Sequence, residues 1–282
     1  MNYQLTNLYT NFRYAAPYTY LTHYYIYEYD IEKANISILY SYNAISKEQY
    51  DYYYNLPKKE REVSIGLLIR DNPDISSILK SGITEARRLF FESLQLYDEN
   101  VLYIDNDSIT IISTNPHPDQ YIQISDIIRF KLKKIYTSYY KLYNIDFLYY
   151  NDSYKEDYRL KNTNQDKLIK LHKNHFLDFL LAIAYDGQFS TNKLSTVMTI
   201  KNFYLQYTRQ LLPIEYYREF NSMSKYRLID ISNYSDYYLD SIDPVCYRYI
   251  DISYNASIIR LLYKIYIKEY LNDNSNMMNY LL

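Results

Sequence analysis

The chain has 282 residues, is 48% hydrophobic and carries a formal net charge of −2, which provides enough apolar material for one large domain or two modest ones. That charge excludes a globally basic nucleic-acid-binding surface, so any such footprint has to be local. One cysteine, Cys246, excludes internal disulfides and cysteine-rich zinc sites, while three scattered glycines, Gly66, Gly82 and Gly187, exclude a phosphate-cradling P-loop or dinucleotide fingerprint.

Tyr24 to Asp30 is rich in aromatic and branched residues and predicts a strand, with Asp30 near its end. Ile31 to Tyr40 continues apolar at mixed spacing. Much of the tyrosine content, 42 residues beside no tryptophan, is what an AT-rich coding sequence yields, and these rings are expected in or beside the core with hydroxyls at its edge. Ser46 with Gln49 three residues on forms the pattern of a capping box, so a helix is expected over Ser46 to Tyr54. Lys58 to Arg70 reads as a charged helical start followed by an apolar stretch, broken by Asp71-Asn72-Pro73. Asp74 or Ser76 then caps a helix running to about Leu96, with Ile75, Leu79, Ala86 and Phe90 at helical spacing and Lys80, Arg87 and Arg88 projecting from it.

Val101 to Ser113 is expected as a strand segment or hairpin interrupted at Asp105-Asn106-Asp107. If the chain stays extended there, period-2 alternation places Asp105 and Asp107 on one face, where they repel unless a cation or proton lies between them. Asn115 to Asp119 is a loop. A helix is expected over Asp126 to Tyr143, bearing the local basic run Arg129, Lys131, Lys133, Lys134 and Lys141, which reads either as a solvated face or as a phosphate-binding patch. Ile145 to Tyr150 and Tyr154 to Leu160 form a hairpin across Asn151-Asp152-Ser153.

Longer helices follow at about 165–185, 194–211, 213–222 and 255–271. The fold class is therefore α+β, with an α+β domain over 1–163 and a helical region over 164–282 that is either an appendage or a second domain. The most apolar segment, Phe176 to Tyr185, is too short to cross a bilayer, and the start of the chain lacks a signal-peptide pattern. A cytoplasmic protein without membrane contact is the expectation. His172 and His175 share a helix face but have no evident third ligand, and Ser190 and Ser195 near Asp186 form no hydrolase signature.

Two-metal phosphoryl chemistry needs carboxylates from separate strands around cations about 4 Å apart. Asp30 together with Asp105 and Asp107 supplies such a set. Here Tyr103-Ile104-Asp105-Asn106-Asp107-Ser108 resembles the metal motif Tyr-x-Asp-Thr-Asp-Ser of family B DNA polymerases, with one substitution. Asp30-Ile31-Glu32-Lys33-Ala34-Asn35-Ile36 resembles the earlier palm motif, with Asn35 and Ile36 where Tyr and Pro are usual. The resemblance spans about residues 20 to 160.

It implies a reduced, palm-like antiparallel sheet with flanking helices, of the kind a phage or other virus carries, followed by a mainly helical C-terminal half. It implies Asp30 and Asp107 as primary ligands of Mg²⁺ or Mn²⁺, with Asp105 supporting. Lys80, Arg87 or Arg88 would face an incoming triphosphate; Lys131, Lys133 and Lys134, from the local basic run, are by their charge the candidates for contact with nucleic acid. The fingers signature Lys-x-x-x-Asn-Ser-x-Tyr-Gly is absent. An active nucleotidyltransferase that takes nucleotides and nucleic acid is one implied function. Another is an inactive, palm-derived binding or regulatory subunit of a viral replication or transcription assembly. A third reading takes Asp30-Ile31-Glu32 and Asn144-Ile145-Asp146-Phe147 as motifs of a four-acid, DEDD-type exonuclease.

Overall fold

A computed structural model describes residues 7–22, 24–143, 145–151, 156–161, 176–213, 216, 218–220, 247–249 and 252–273. The chain divides into two compact units, one of residues 1–18 and 23–136, the other of residues 19–22 and 137–282. The boundary expected at 163/164 falls outside the described residues, as do His172 and His175. The fold class is α+β, with antiparallel sheets and helices in both units.

The first unit is built on strands β1 (Arg13–Ala15), β3 (Tyr25–Ile31), β4 (Val101–Asp105), β5 (Ser108–Ser113), β6 (Tyr121–Gln123) and β7 (Arg129–Tyr136). They form a six-stranded sheet in the order β1-β4-β5-β3-β7-β6; β2 (Tyr20–Leu21) belongs to the second unit. Between β3 and β4 run α1 (Ala34–Ser41), α2 (Lys47–Asn55), α3 (Lys58–Asp71) and α4 (Asp74–Ser93). Alternation along the strands turns Tyr27, Tyr29 and Ile31 of β3, Ile109 and Ile111 of β5, and Phe130 and Leu132 of β7 into one core. Ile75, Leu79, Ala86 and Phe90 of α4 meet them from the helical side, with the Phe90 ring 4.3 Å from Phe130 and 5.5 Å from Tyr29. Each such side chain contributes roughly 1.5–3 kcal/mol by burial.

The tyrosines of β3 behave as amphipathic core residues. Tyr29 donates its hydroxyl to the Asp119 carbonyl at 2.9 Å and Tyr27 donates to that of Asn115, so both tie the 115–119 loop to the sheet. The capping box at Ser46 and Gln49 forms as the sequence indicates.

Several elements differ from the expectations. The apolar run after Ile31 is helix α1, entered through Lys33 in the left-handed region at φ 48°. Neither Asp74 nor Ser76 caps α4: the helix begins after Pro73, the Asp74 amide donates to the Asn72 side chain at 3.1 Å, and the helix ends at Ser93. The helix expected over 126–143 is replaced by β7 and β8 (Ser138–Leu142), because Phe130 and Leu132 are buried while Lys131 and Lys133 are exposed, a period of two.

In the second unit, β8 pairs with β9 (Ile145–Asn151), which pairs with β10 (Glu156–Lys161) as the expected hairpin; β2 completes a sheet ordered β10-β9-β8-β2. Helices α5 (Phe176–Phe189), α6 (Lys193–Thr208) and α7 (Ile252–Asp273) pack with it around Phe147, Leu180, Ile200, Ile259 and Tyr266. The helix expected at 213–222 is corrected in part: β11 (Arg218–Phe220) is a strand paired with β12 (Tyr247–Tyr249), outside the reach of any local periodicity. Among the described residues no helix is long and apolar enough to cross a membrane.

Candidate functional site

The β4–β5 hairpin turns at Asn106 and Asp107, with Asp105 opposite Ser108. Asn106 adopts φ 52°, a left-handed conformation that its short polar side chain tolerates. Backbone bonds hold the turn from both sides: the Asn106 amide donates to the Phe12 carbonyl at 2.9 Å, and the Ile31 amide donates to the Asp107 carbonyl at 3.1 Å. The turn is thereby fixed against the end of β3, where Asp30 lies opposite Ser108.

This geometry corrects the expectation that Asp105 and Asp107 project from one face of an extended segment. Asp105 is the exposed last residue of β4, whereas Asp107 sits in the turn and lines a cleft with Asp30. The cleft holds about 230 Å³ and is completed by Ile31, Lys33, Ala34 and Asn35 at the start of α1 and by Lys58, Arg61, Glu62 and Ile65 of α3. Burial pushes the Asp107 carboxyl above its ordinary value, the Asp30 charge pushes it further, and Lys133 opposes both. The two acids therefore act on each other across one partly desolvated space.

Asp30 is held asymmetrically. The register between β3 and β7 shifts between Glu28, opposite Lys134, and Tyr29, opposite Leu132, which leaves Lys133 as the extra residue of a bulge. Bulges re-aim side chains, and Lys133 here forms an ion pair with Oδ2 of Asp30. The other oxygen, Oδ1, is buried without a hydrogen-bond partner. An acceptor in that state costs free energy unless something positive meets it.

The cleft wall opposite the acids is cationic. Lys58 and Arg61 are three apart on α3 and so share a face. Arg61 donates to the Leu56 carbonyl at 3.3 Å, and Lys33 donates to the Tyr54 carbonyl at 2.6 Å with its ammonium 3.2 Å from that residue's ring centre. Desolvation lowers the Lys33 pKa. Lys58 also meets Glu62 at 3.7 Å in an exposed pair, worth at most about 1 kcal/mol.

The α4 cations lie elsewhere. Lys80 is exposed, and Arg88 bridges Glu85 and Glu92. Arg87 is fully buried, donates to the Asn11 carbonyl and stacks 4.7 Å from the Phe12 ring centre. None of the three lines the cleft. Sequence reasoning missed Lys33, Lys58 and Arg61, although the charged start of α3 with its Lys58–Arg61 spacing was visible. On β7, Lys131 is exposed and Lys134 is half-buried opposite Glu28.

Of the residues read as exonuclease motifs, Glu32 is paired with Arg129. Asp146 is buried in the second unit and accepts from the Tyr139 hydroxyl at 3.1 Å.

Among the described residues no group of three or more His, Cys, Asp or Glu side chains gathers as a metal cage. Of the three carboxylates that line the cleft, Glu62 is paired with Lys58, and Asp30 and Asp107 offer hard oxygens suited to Mg²⁺ or Mn²⁺, ions that commonly take one or two protein carboxylates and draw their other ligands from water and substrate phosphates. The unpartnered Asp30 Oδ1 fits that role. A family model described as Bacteriophage PBS1 gene 130 protein matches residues 1–268. No curated protein matches the chain.

Proposed function

The chain belongs to the Bacteriophage PBS1 gene 130 protein family, and for this phage protein we propose a metal-dependent nucleotidyl transfer at the cleft between β3, the β4–β5 turn and α3. The observation that carries the reading is the meeting of Asp30, on β3, and Asp107, in the β4–β5 turn, in one cleft with Lys58 and Arg61 of α3. Divalent cations bound by the two carboxylates would stabilise charge on the attacking and leaving oxygens of a phosphoryl transfer. Lys58 and Arg61 hold and orient the phosphates of the nucleotide, and Asp105, exposed at the end of β4 with its charge felt by Asp107, adds negative charge that attracts the cations. The resemblance to a family B polymerase palm supports the same assignment, with nucleotides and a nucleic-acid strand as substrates.

The test is incorporation of labelled nucleotides by the full chain on primed DNA and RNA templates with Mg²⁺ or Mn²⁺. Asp30→Ala and Asp107→Ala are expected to lower incorporation at least 100-fold, and Lys58→Ala with Arg61→Ala to raise KM for the nucleotide. Absence of incorporation under every primer, template and metal condition rejects the reading.

One observation favours a second reading, a palm-derived binding subunit of a phage replication or transcription assembly. Lys133 already neutralises Asp30, as an acid retained without catalysis would be. On that reading Asp107→Ala leaves the protein's function in infection intact, and the chain co-purifies with a phage polymerase subunit.

A further inference from the structure

We propose that a single nucleic-acid strand crosses the first unit's sheet at right angles to its β-strands, with a base stacked on Tyr121 and an adjoining phosphate on Lys131. This rests on the assignment of the Asp30–Asp107 cleft to phosphoryl transfer and names the path of the strand that reaches it.

The register of the sheet carries the inference. Arg13 lies opposite Asp105, Asp105 opposite Ser108, Ser108 opposite Asp30, Asp30 opposite Lys131, and Lys131 opposite Tyr121. Directly opposed residues share a face, so these six side chains form one transverse row over β1, β4, β5, β3, β7 and β6. All six are exposed or half-exposed, whereas the next residues inward on β4, β5 and β3, Tyr103, Thr110 and Glu28, are buried and those on β1 and β7, Ala15 and Lys133, are exposed. The row is therefore a polar track along one end of the sheet, narrow over its central strands and widened on β7 by a second lysine.

Its spacing suits a nucleic-acid backbone. Neighbouring strands lie about 4.8 Å apart, so Tyr121 is roughly 10 Å from Asp30 along the row. That is the span of one to two nucleotides. Lys131 stands midway, exposed, with its ammonium 5.9 Å from the Tyr121 ring centre. A phosphate beside Asp30 would thus have the next phosphate near Lys131 and a base near Tyr121.

Tyr121 is built as a platform. The residue is 45% exposed on a short edge strand. The Arg129 guanidinium sits 4.5 Å from the ring centre and is itself fixed by the ion pair with Glu32. Bracing of this kind lowers the entropy lost when a base stacks. A cation and an aromatic ring set beside an acidic reaction cleft complement an anionic, base-bearing strand better than they do an apolar partner surface.

The experiment measures binding of fluorescein-labelled 12-mers of deoxythymidine and of uridine to the full chain by fluorescence anisotropy in EDTA, which separates strand binding from chemistry. Tyr121→Ala and Tyr121→Leu are expected to weaken binding about tenfold, the loss of roughly one stacked base, while Tyr121→Phe binds as wild type does. Lys131→Ala should weaken binding and lower the salt slope by about one. Circular dichroism of each variant confirms folding, and the two 12-mers distinguish DNA from RNA. Unchanged affinity in Tyr121→Ala and Lys131→Ala, or no binding of either 12-mer by the wild type, overturns the proposal. Asp107→Asn serves as the separate control: it should abolish incorporation and leave this binding intact, so a failure of the catalytic reading is told apart from a failure of the track.

Discussion

Asp107 is the residue on which the acidic cleft can be tested without any substrate. Its carboxyl is raised first by burial and next by the Asp30 charge. A carboxyl whose pKa is higher in the folded than in the unfolded chain favours folding below the unfolded value, and that contribution is lost as pH rises through the folded pKa. Asp107→Asn removes the buried charge. In a chelator it should therefore raise the melting temperature at pH 7, and its advantage over wild type should shrink as pH falls through the raised pKa of the wild-type carboxyl. A lower melting temperature for the variant at pH 7 contradicts the assignment. Arg87 offers a second case. Burial lowers its pKa to about 10, and Nε and Nη2 have no partner. Arg87→Met, similar in length and uncharged, should leave stability to urea unchanged or raise it by about 1 kcal/mol; a clear loss would show that the guanidinium holds the Asn11 segment in place.

At the scale of elements, the cleft depends on how closely α1 approaches α4. A Cβ built on Gly82 would lie 2.2 Å from Cγ2 of Ile38, which is fully buried on α1. Helix propensity favours Gly82→Ala by about 1 kcal/mol, yet overpacking costs about 1–3 kcal/mol. A net loss of stability by urea denaturation is the expected outcome, together with weaker nucleotide binding, because Ala34 and Asn35 of α1 line the cleft. Much of this architecture was legible in the sequence where the signals are local. The capping box at Ser46, the strand ending at Asp30 and the interruption at Asp105-Asn106-Asp107 each rest on a few adjacent residues. What escaped was set by distant pairing. Arg129 to Tyr136 becomes a strand between β3 and β6, and its alternation over Phe130 to Lys133 is broken by the extra residue of the bulge before Lys134, which hides the strand in the sequence. Likewise Lys58 and Arg61 reach the cleft through the packing of α3, while on α4 Arg88 is taken up by Glu85 and Glu92 and Arg87 by the Asn11 carbonyl.

For the whole molecule, the proposed cation binding would be linked to folding. An ion that binds only the native chain stabilises it by RT ln(1 + [M]/Kd), about 2.7 kcal/mol at a hundredfold excess over Kd. Mn²⁺ should therefore raise the melting temperature of the wild type, EDTA should reverse the shift, and Asp30→Asn should abolish it; an equal shift in the variant would place the ion elsewhere. The bulge that presents Lys133 to Asp30 has a further consequence for how the protein spends its time. With an ammonium already on one of the two acids, the chain is expected to keep its melting temperature through prolonged storage in chelator. Arrival of a metal is then an exchange of one cation for another, and only the difference between their attractions is gained. On the proposed function, such a site would load less tightly with the ion alone than with the ion already bound to a nucleotide's phosphates.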